Sequence, residues 1–341
     1  MGDSMKSYVI DRMYKASAGV ANAVLVTLGI GLLFESFGNI FGWSAFVTIG
    51  SITKILLAPA IGAGIAYQLG GNTLVIYAAM ASSTVGGNAI RFVEGLPVLA
   101  SGQPVSAVIA AVAATYVGKR LTGKTKLDMM AIPFSGIFVG GLVGLVMAAV
   151  TTPMLEWISA QLATSVQGSP ILAPMAVALT WSILLMTPAS SAALAIALQM
   201  DPISSGAALI GCTAQFVGFT LMSWKQNDAG ALLAQGLVTP KVQFPNLIKN
   251  PRLCLPPFAA AIICAPIASL AFQFQVSYEL AGLGLNSLIA PITIFSTQGI
   301  TGLFIFIGTG IILPGIISLA LYELIKRVGW AKTGDLHIKL Q

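Results

Sequence analysis

The chain has 341 residues, of which 56% are apolar and only 8% are charged, and its formal net charge is +6. Soluble domains average about 25% charged residues, so this sequence has too few charges to cover a globular surface. Its mean hydropathy of +0.89 and its repeated apolar runs of about 20 residues, each long enough to cross a bilayer, indicate an all-α polytopic membrane protein.

The basic residues lie between the apolar runs. They precede the first run, fill the short loop 118–126 and follow the last run. They do not form a stripe with interleaved aromatic residues, as a nucleic-acid surface would, so we expect no nucleic-acid partner. By the positive-inside rule all three places face the cytoplasm, which puts the N and C termini on the cytoplasmic side of the bilayer.

The first part of the chain contains five predicted crossings, and four of them return the chain to its starting side. The fifth carries glycines at close-packing intervals, which favour the close approach of a neighbouring helix. An amphipathic segment with Trp157 follows and predicts an interfacial helix. The predicted crossings are residues 16–37, 46–69, 73–92, a segment from Pro97 to the basic loop, and 127–150.

The apolar pattern of the second part is interrupted. Residues 186–191 and 199–205 break runs that are too short to span, which indicates a re-entrant hairpin. The polar stretch 225–252 has an apolar inner part that predicts a second hairpin, with a plain loop as the alternative. The total is about ten transmembrane helices plus two re-entrant hairpins. Non-helical backbone is tolerated at membrane depth only where protein or a water-filled cavity surrounds it. Broken helices are also characteristic of secondary transporters.

Polar side chains near these breaks are the candidate solute-binding residues, because amides supply the donors and acceptors that replace water around a polar solute. Arg is also suited to an anionic group. The candidates are Asn88, Arg91, Gln215, Gln235, Thr239, Gln243, Asn246 and Gln298.

Other ionisable residues in apolar runs have simpler interpretations. Arg91 and Glu94 are three residues apart, so a pair on one helix face at the outer interface is the alternative to a role in solute binding. Lys54 lies near the start of its segment, where a long side chain reaches the headgroups. Glu35 is expected at the outer end of its helix.

The sequence offers little for catalysis. Its three cysteines have no CxxC spacing and lie in apolar stretches, which predicts packing in preference to metal or disulfide chemistry. Nucleophilic triads, paired carboxylates and phosphate-binding loops are also absent. We therefore predict no catalytic residue, no metal ion and no cofactor, and expect that the protein is not an enzyme.

Two stretches carry a family resemblance. Lys126-Leu-Asp-Met-Met-Ala-Ile-Pro-Phe134 precedes the glycine-rich crossing, and Gly236-Leu-Val-Thr-Pro-Lys-Val-Gln-Phe-Pro-Asn-Leu-Ile-Lys-Asn-Pro-Arg-Leu-Cys-Leu-Pro-Pro257 has the form of a hairpin followed by a proline-bearing helix. Together they resemble the membrane-embedded C subunit, enzyme IIC, of the bacterial sugar phosphotransferase system. They also resemble stand-alone members described as perfringolysin-regulator-like, and the likeness covers roughly residues 127–272.

The resemblance implies an enzyme-IIC-like fold, a bacterial plasma membrane and a homodimer with an elevator-like motion. Residues 1–152 would form the scaffold and dimerisation half, and 153–169 the amphipathic interfacial helix. Residues 170–326 would form the solute-binding half with both hairpins, and 327–341 the cytoplasmic tail.

The sequence departs from the family at the residues that serve phosphorylation. The family carries Glu-Pro at the tip of the second hairpin, where this chain has Thr239-Pro240. The family's pocket histidine has no counterpart after Trp181, and His337 lies in the tail. A hydroxyl group cannot act as a carboxylate base at neutral pH. Any phosphoryl transfer would also need soluble phosphotransferase subunits as partners.

The leading hypothesis is a transporter that moves a small polar solute, sugar-like or another metabolite, by alternating access. One alternative is a membrane sensor or regulator that binds a solute without net transport. Another is a genuine phosphotransferase-system sugar permease that works with separate soluble subunits.

Overall fold

The structure, a computed structural model, describes residues 2–93, 96–100, 102–187 and 190–338. Within these ranges the regular elements are helices, apart from one antiparallel sheet of two strands. The chain forms two compact units. The N-terminal unit comprises Met1–Ile158 and Ile196–Leu198, and the C-terminal unit comprises Ser159–Ala195 and Gln199–Gln341.

Helices α1 to α7 and the two strands come first along the chain. They are α1 (Gly2–Val24), α2 (Ile30–Phe41), α3 (Ser44–Ile55), α4 (Leu57–Gln68), α5 (Thr73–Gly86), β1 (Ile90–Val93), β2 (Leu96–Leu99), α6 (Pro104–Leu121) and α7 (Asp128–Gly168). A π-helical turn, Leu25–Gly29, joins α1 to α2.

The remaining helices are shorter and more often interrupted. They are α8 (Leu172–Leu185), α9 (Ser191–Leu198), α10 (Pro202–Ser223), α11 (Ala229–Leu233), α12 (Phe244–Lys249), α13 (Leu255–Pro266), α14 (Tyr278–Ala281), α15 (Ile289–Phe306) and α16 (Leu313–Arg327). The π-helical turns Ala234–Val238, Ile267–Ala271 and Ile307–Ile312 and the 3₁₀ turns Pro240–Gln243, Pro251–Cys254 and Asn286–Leu288 connect them.

The described helices support a multi-pass membrane protein. Five segments are long and apolar enough to cross a bilayer, namely Asp11–Phe41, Asp128–Gln161, Pro202–Ser223, Pro251–Ala271 and Asn286–Arg327. The pair α3 and α4, bent by 58°, makes up to six. The expectation of ten crossings is therefore not confirmed, and neither are the two re-entrant hairpins. Several apolar runs contain shorter helices, such as the 14 residues of α5, about 21 Å at about 1.5 Å per residue.

A β-hairpin replaces part of the predicted third crossing. Helix α5 ends at Gly86, and Asn88 has a positive φ of 50°, which carries the chain out of the helix. Arg91 then pairs with Val98 across the two strands. The predicted pairing of Arg91 and Glu94 on one helix face is therefore wrong, because Arg91 lies on a strand, while Glu94 lies outside the described residues.

Helix α7 is continuous over 41 residues and includes Pro133 and Pro153. The predicted fifth crossing and the predicted amphipathic helix at 153–169 thus share one helix, and the interfacial position of the latter stays a prediction. The small-residue face of the crossing is confirmed. A Cβ atom on Gly144 would lie 2.5 Å from the Gly86 Cα atom, and one on Gly140 would lie 2.6 Å from the Ser82 hydroxyl, so α7 touches α5 almost backbone to backbone.

An ion pair joins α2 to α3. The Lys54 ammonium group lies 2.7 Å from the Glu35 carboxylate, and each side chain is 20% exposed. The Ser51 hydroxyl donates to the other Glu35 oxygen at 2.7 Å. The positions predicted for Lys54 and Glu35 relative to the membrane stay predictions. The mutual pairing lowers the cost of placing either charge in an apolar environment.

Helix α10 is the core of the C-terminal unit, and nearly all of its side chains are buried. Asp201 caps it by accepting from the Ile203 and Ser204 amides, both at 3.0 Å. A Cβ atom on Gly211 would clash with α8, and one on Gly218 would lie 2.8 Å from Pro257 of α13. The glycines therefore let α8 and α13 pack closely on α10.

Candidate functional site

Three irregular segments of the C-terminal unit pack on α10 or on one another, and one of them reaches Cys212, near the middle of α10. At the start of α9, the Ser191 hydroxyl donates to the Gly282 carbonyl at 2.9 Å. The turn between α11 and α12, which carries Lys241, packs against α10. After α14, Gly284 adopts a φ of +58° and lies against Cys212. The Cys212 thiol itself donates to the Trp181 carbonyl at 3.7 Å.

The turn that carries Lys241 owes its shape to local chemistry. The π-helical turn Ala234–Val238 ends at Thr239, whose amide donates to the Ala234 carbonyl at 2.8 Å. Thr239 is extended, and its hydroxyl accepts from the Lys241 amide at 3.3 Å. Pro240 has no amide hydrogen and begins the 3₁₀ turn Pro240–Gln243. The partly exposed Thr239 hydroxyl and the half-buried Lys241 side chain are therefore held at the tip of this turn.

Gln215 lies on the same face of α10 as Cys212, because residues three apart on a helix are neighbours. Its side chain is fully buried, and neither its amide nitrogen nor its carbonyl oxygen has a hydrogen-bond partner among the described residues. An unsatisfied buried polar group costs about 1–3 kcal/mol. The neighbouring Thr213 hydroxyl is buried and unpaired in the same sense. These groups can supply donors and acceptors to a polar guest.

The structure gives the predicted hairpin amides a different environment. Gln235 and Gln243 are fully buried, and the Gln243 amide nitrogen donates to the Gln235 side-chain oxygen at 2.7 Å. Gln235 donates to the Ser223 hydroxyl at 2.6 Å, and Asn246 donates to the Gln243 oxygen at 2.8 Å. The hydrogen-bonding capacity of Gln243 and Gln235 is thus used within the protein.

The same amides hold the segment that follows α16. The Gln243 nitrogen also donates to the Leu336 carbonyl at 3.0 Å, and Asn246 donates to the His337 carbonyl at 3.0 Å. The Gln226 side-chain oxygen accepts from the Gly334 amide at 2.8 Å. This set, which we call the tail network, connects the turn between α11 and α12 to the C-terminal segment. Its geometry favours a structural role over direct contact with a solute.

The remaining predicted residues lie elsewhere. Gln298 is exposed and donates to the Gln275 carbonyl at 2.8 Å, beside the positive-φ residue Gly299. Asn88 is exposed at the end of α5, and the Arg91 side chain lies outside the described side chains. Of the eight predicted candidates, the structure therefore places Gln215 on the same face of α10 as Cys212, and Thr239 at the turn that precedes Lys241.

Sequence reasoning missed three residues of this cluster. Ser191 follows a proline-containing break, and that break was the available signal. Lys241 is a cation in an apolar stretch directly after Thr239-Pro240. Cys212 was interpreted as packing, which its burial agrees with, but its hydrogen bond to the Trp181 carbonyl joins residues far apart in the sequence.

Metal chemistry gains no support from the geometry. Within the described part of the chain, no three His, Cys, Asp or Glu residues come together in an arrangement that could hold an ion. What the cluster around Cys212 offers is a hydroxyl, a carboxamide and an ammonium group, which bind polar solutes by hydrogen bonding and charge.

These features define a class: a polytopic α-helical membrane protein whose helix breaks meet around a buried polar cluster, as in membrane transport proteins. The family model "Phosphotransferase system, EIIC" matches residues 14–338. The chain belongs to this family, and it is a multi-pass membrane component of sugar transport. No curated protein matches the chain significantly.

Proposed function

We propose that the protein is a carrier that moves a small polar, sugar-like solute across the membrane by alternating access. The supporting observation is the packing of helix breaks against α10, the helix that carries the buried Gln215 carboxamide without a hydrogen-bond partner among the described residues. In this proposal the solute takes hydrogen bonds from Gln215 and Thr239 and a charged contact from Lys241. The buried Gln215 carboxamide has no hydrogen-bond partner among the described residues, so a polar guest is favoured over an apolar one.

The proposal includes transport without phosphorylation of the solute. Thr239 and Lys241 flank the hairpin proline, and neither supplies the carboxylate that resemblance to the family leads one to expect there. A hydroxyl group is a poor base at neutral pH, and an ammonium group has no lone pair to accept a proton. No residue of the cluster is therefore proposed as catalytic, and the protein is proposed not to be an enzyme.

The proposed arrangement in the membrane follows the charge pattern. Residues 1–152 act as scaffold and dimerisation half, 170–326 carry the solute, and 153–169 lie at the membrane interface. The basic loop after α6 and the residues after Lys326 lie on the cytoplasmic side of a bacterial plasma membrane. Single cysteines at Lys124 and Lys332 should then react with a membrane-impermeant reagent only from the cytoplasmic side of oriented vesicles.

Uptake into proteoliposomes tests the carrier. After a thermal-shift screen with sugars and related metabolites, the best binder is supplied in labelled form. Gln215→Leu and Lys241→Met should each reduce uptake at least about tenfold, which corresponds to about 1.4 kcal/mol. Gln298→Leu, an exposed glutamine outside the cluster, is the matched control and should transport normally. Equal uptake by all variants contradicts this site.

Two further outcomes separate the alternatives. Phosphorylated product that forms only after addition of soluble phosphotransferase subunits identifies a phosphotransferase permease. Saturable binding without any transmembrane flux, in vesicles that otherwise hold a gradient, identifies a sensor. Of these two alternatives, the sensor is the better supported. Thr239 replaces the carboxylate that phosphorylation would need, but the groups that bind a solute remain in place.

A further inference from the structure

A polar cavity lies away from the cluster around Cys212, at the end of the C-terminal unit where α12 leads into α13. It has a volume of about 570 Å³ and is lined by residues 249–252 on one side and by residues 329–332 with Asp335 on the other. The two segments are far apart in the sequence and meet here. None of these residues belongs to the cluster around Cys212.

The lining is strongly basic. Lys249, Arg252 and Lys332 contribute three cations. Asp335 is the acidic residue among the described lining residues, and its carboxylate already accepts from the Lys332 amide at 2.9 Å and from the Asn250 side chain at 3.3 Å. Asp335 therefore stabilises the segment 329–335 by these hydrogen bonds. The formal net charge of the lining remains about +2.

The position of the cations is set by a rigid support. Trp330 follows α16, and its amide donates to the Ile325 carbonyl at 2.9 Å. The Asn250 side chain donates to the Trp330 carbonyl at 2.9 Å. The Arg252 guanidinium stands over the Trp330 ring, 5.1 Å from its centre. A stacked arginine loses less freedom on binding, and its planar group matches the two oxygens of a phosphate.

The neighbourhood of this groove is apolar and exposed. Ile248, directly before Lys249, is 66% exposed, and Val328 beside Gly329 is 58% exposed. Trp330 itself is 44% exposed, and tryptophan favours the boundary between headgroups and hydrocarbon. A ligand that combines a phosphate with acyl chains satisfies both the cations and the apolar rim.

We propose that this groove binds the phosphate group of an anionic phospholipid, with Arg252 and Lys332 as the principal contacts and Lys249 at the entrance. The acyl chains lie over Ile248 and Val328. Basic pockets on the cytoplasmic side of membrane proteins suit anionic headgroups in this way. The site is separate from the solute cluster and does not depend on the proposed transport activity.

Native mass spectrometry of the full chain in a neutral detergent tests the site. The probes are phosphatidylglycerol, phosphatidylcholine of the same chain length, and soluble glycerol phosphate. The double variant Arg252→Gln/Lys332→Gln removes two cations, and Lys124→Gln/Lys126→Gln removes two exposed cations from the loop after α6 as the matched control. Phosphatidylglycerol should bind the double variant about thirtyfold more weakly than the wild type, since each basic residue contributes about a fivefold factor.

The control variant should bind like the wild type. Lys249→Gln, which leaves the Arg252–Trp330 stack untouched, provides a second variant and should weaken binding about fivefold. Unchanged binding in both site variants overturns the proposal, and so does equal binding of phosphatidylcholine, because charge would then be irrelevant. Glycerol phosphate that competes as well as the lipid shows a site for soluble phosphate esters and overturns the assignment to a lipid.

Discussion

Replacement of Gln243 by leucine should strongly destabilise the C-terminal unit. Gln243 is fully buried. It donates to the Gln235 oxygen at 2.7 Å and to the Leu336 carbonyl at 3.0 Å, and it accepts from Asn246 at 2.8 Å. Leucine has a similar volume but can make none of these bonds, so the change deletes the polar contacts with little change in packing.

The expected cost follows from the groups that are left behind. The Gln235 side chain is fully buried, and its oxygen would lose the Gln243 donor, whereas the Leu336 carbonyl would keep the Asn227 donor at 2.9 Å. One buried unsatisfied group costs about 1–3 kcal/mol. Gln215→Leu is the matched control, because Gln215 is equally buried but makes no hydrogen bond to a described residue. That change should be neutral or stabilising.

Unfolding in mixed micelles with increasing dodecyl sulfate measures both variants against the wild type. The expected order of unfolding free energy is Gln215→Leu at or above the wild type and Gln243→Leu about 1–3 kcal/mol below it. The reverse order would refute the assignment of Gln243 to a structural network and of Gln215 to solute binding. An equal loss of unfolding free energy in both variants would also refute the different roles assigned to Gln243 and Gln215.

Three further predictions concern packing, the tail and the ion pair. Gly144→Ala should lower the free energy of unfolding by about 1–3 kcal/mol, because the added methyl group overpacks the contact with α5. Gly141→Ala should be tolerated, because its Cβ atom would meet its nearest neighbour at 4.0 Å. Unfolding of both variants measures the difference. Gln226→Leu removes the acceptor for the Gly334 and Leu336 amides, so trypsin should cleave the C-terminal segment faster, and an unchanged rate would argue against the tail network. Lys54→Met should destabilise the protein more than Lys54→Met/Glu35→Gln does, because the single change strands a charge; a double-mutant cycle that shows no coupling would contradict this.

The membrane class and the family could be predicted from sequence alone. Few charges, long apolar runs and basic loops are local properties, and the bilayer requires them whatever the tertiary packing is. The small-residue face at Gly140 and Gly144 was also predictable, because helical spacing places those residues on adjacent turns. The stretches 126–134 and 236–257 were enough to indicate the family, which the match over residues 14–338 then showed.

Helix ends were predicted less well. The apolar run through Ile90 looks like a crossing, yet the chain leaves the helix after Gly86 through the positive φ of Asn88. Hydropathy cannot separate a buried strand from a helix in a short apolar segment. The predicted number of spans is not confirmed, because apolar composition continues across breaks that interrupt the helical backbone.

The sequence by itself determined that the polar residues after Ala173 must be enclosed by protein or water, because hydrocarbon does not tolerate unpaired polar groups. Only the tertiary structure decided which of those residues have partners. Gln243 and Gln215 are both glutamines in apolar surroundings, but Gln243 meets the tail carbonyl of Leu336, 93 residues away, while Gln215 meets no described partner. The difference lies in contacts between distant segments, which neither composition nor periodicity encodes.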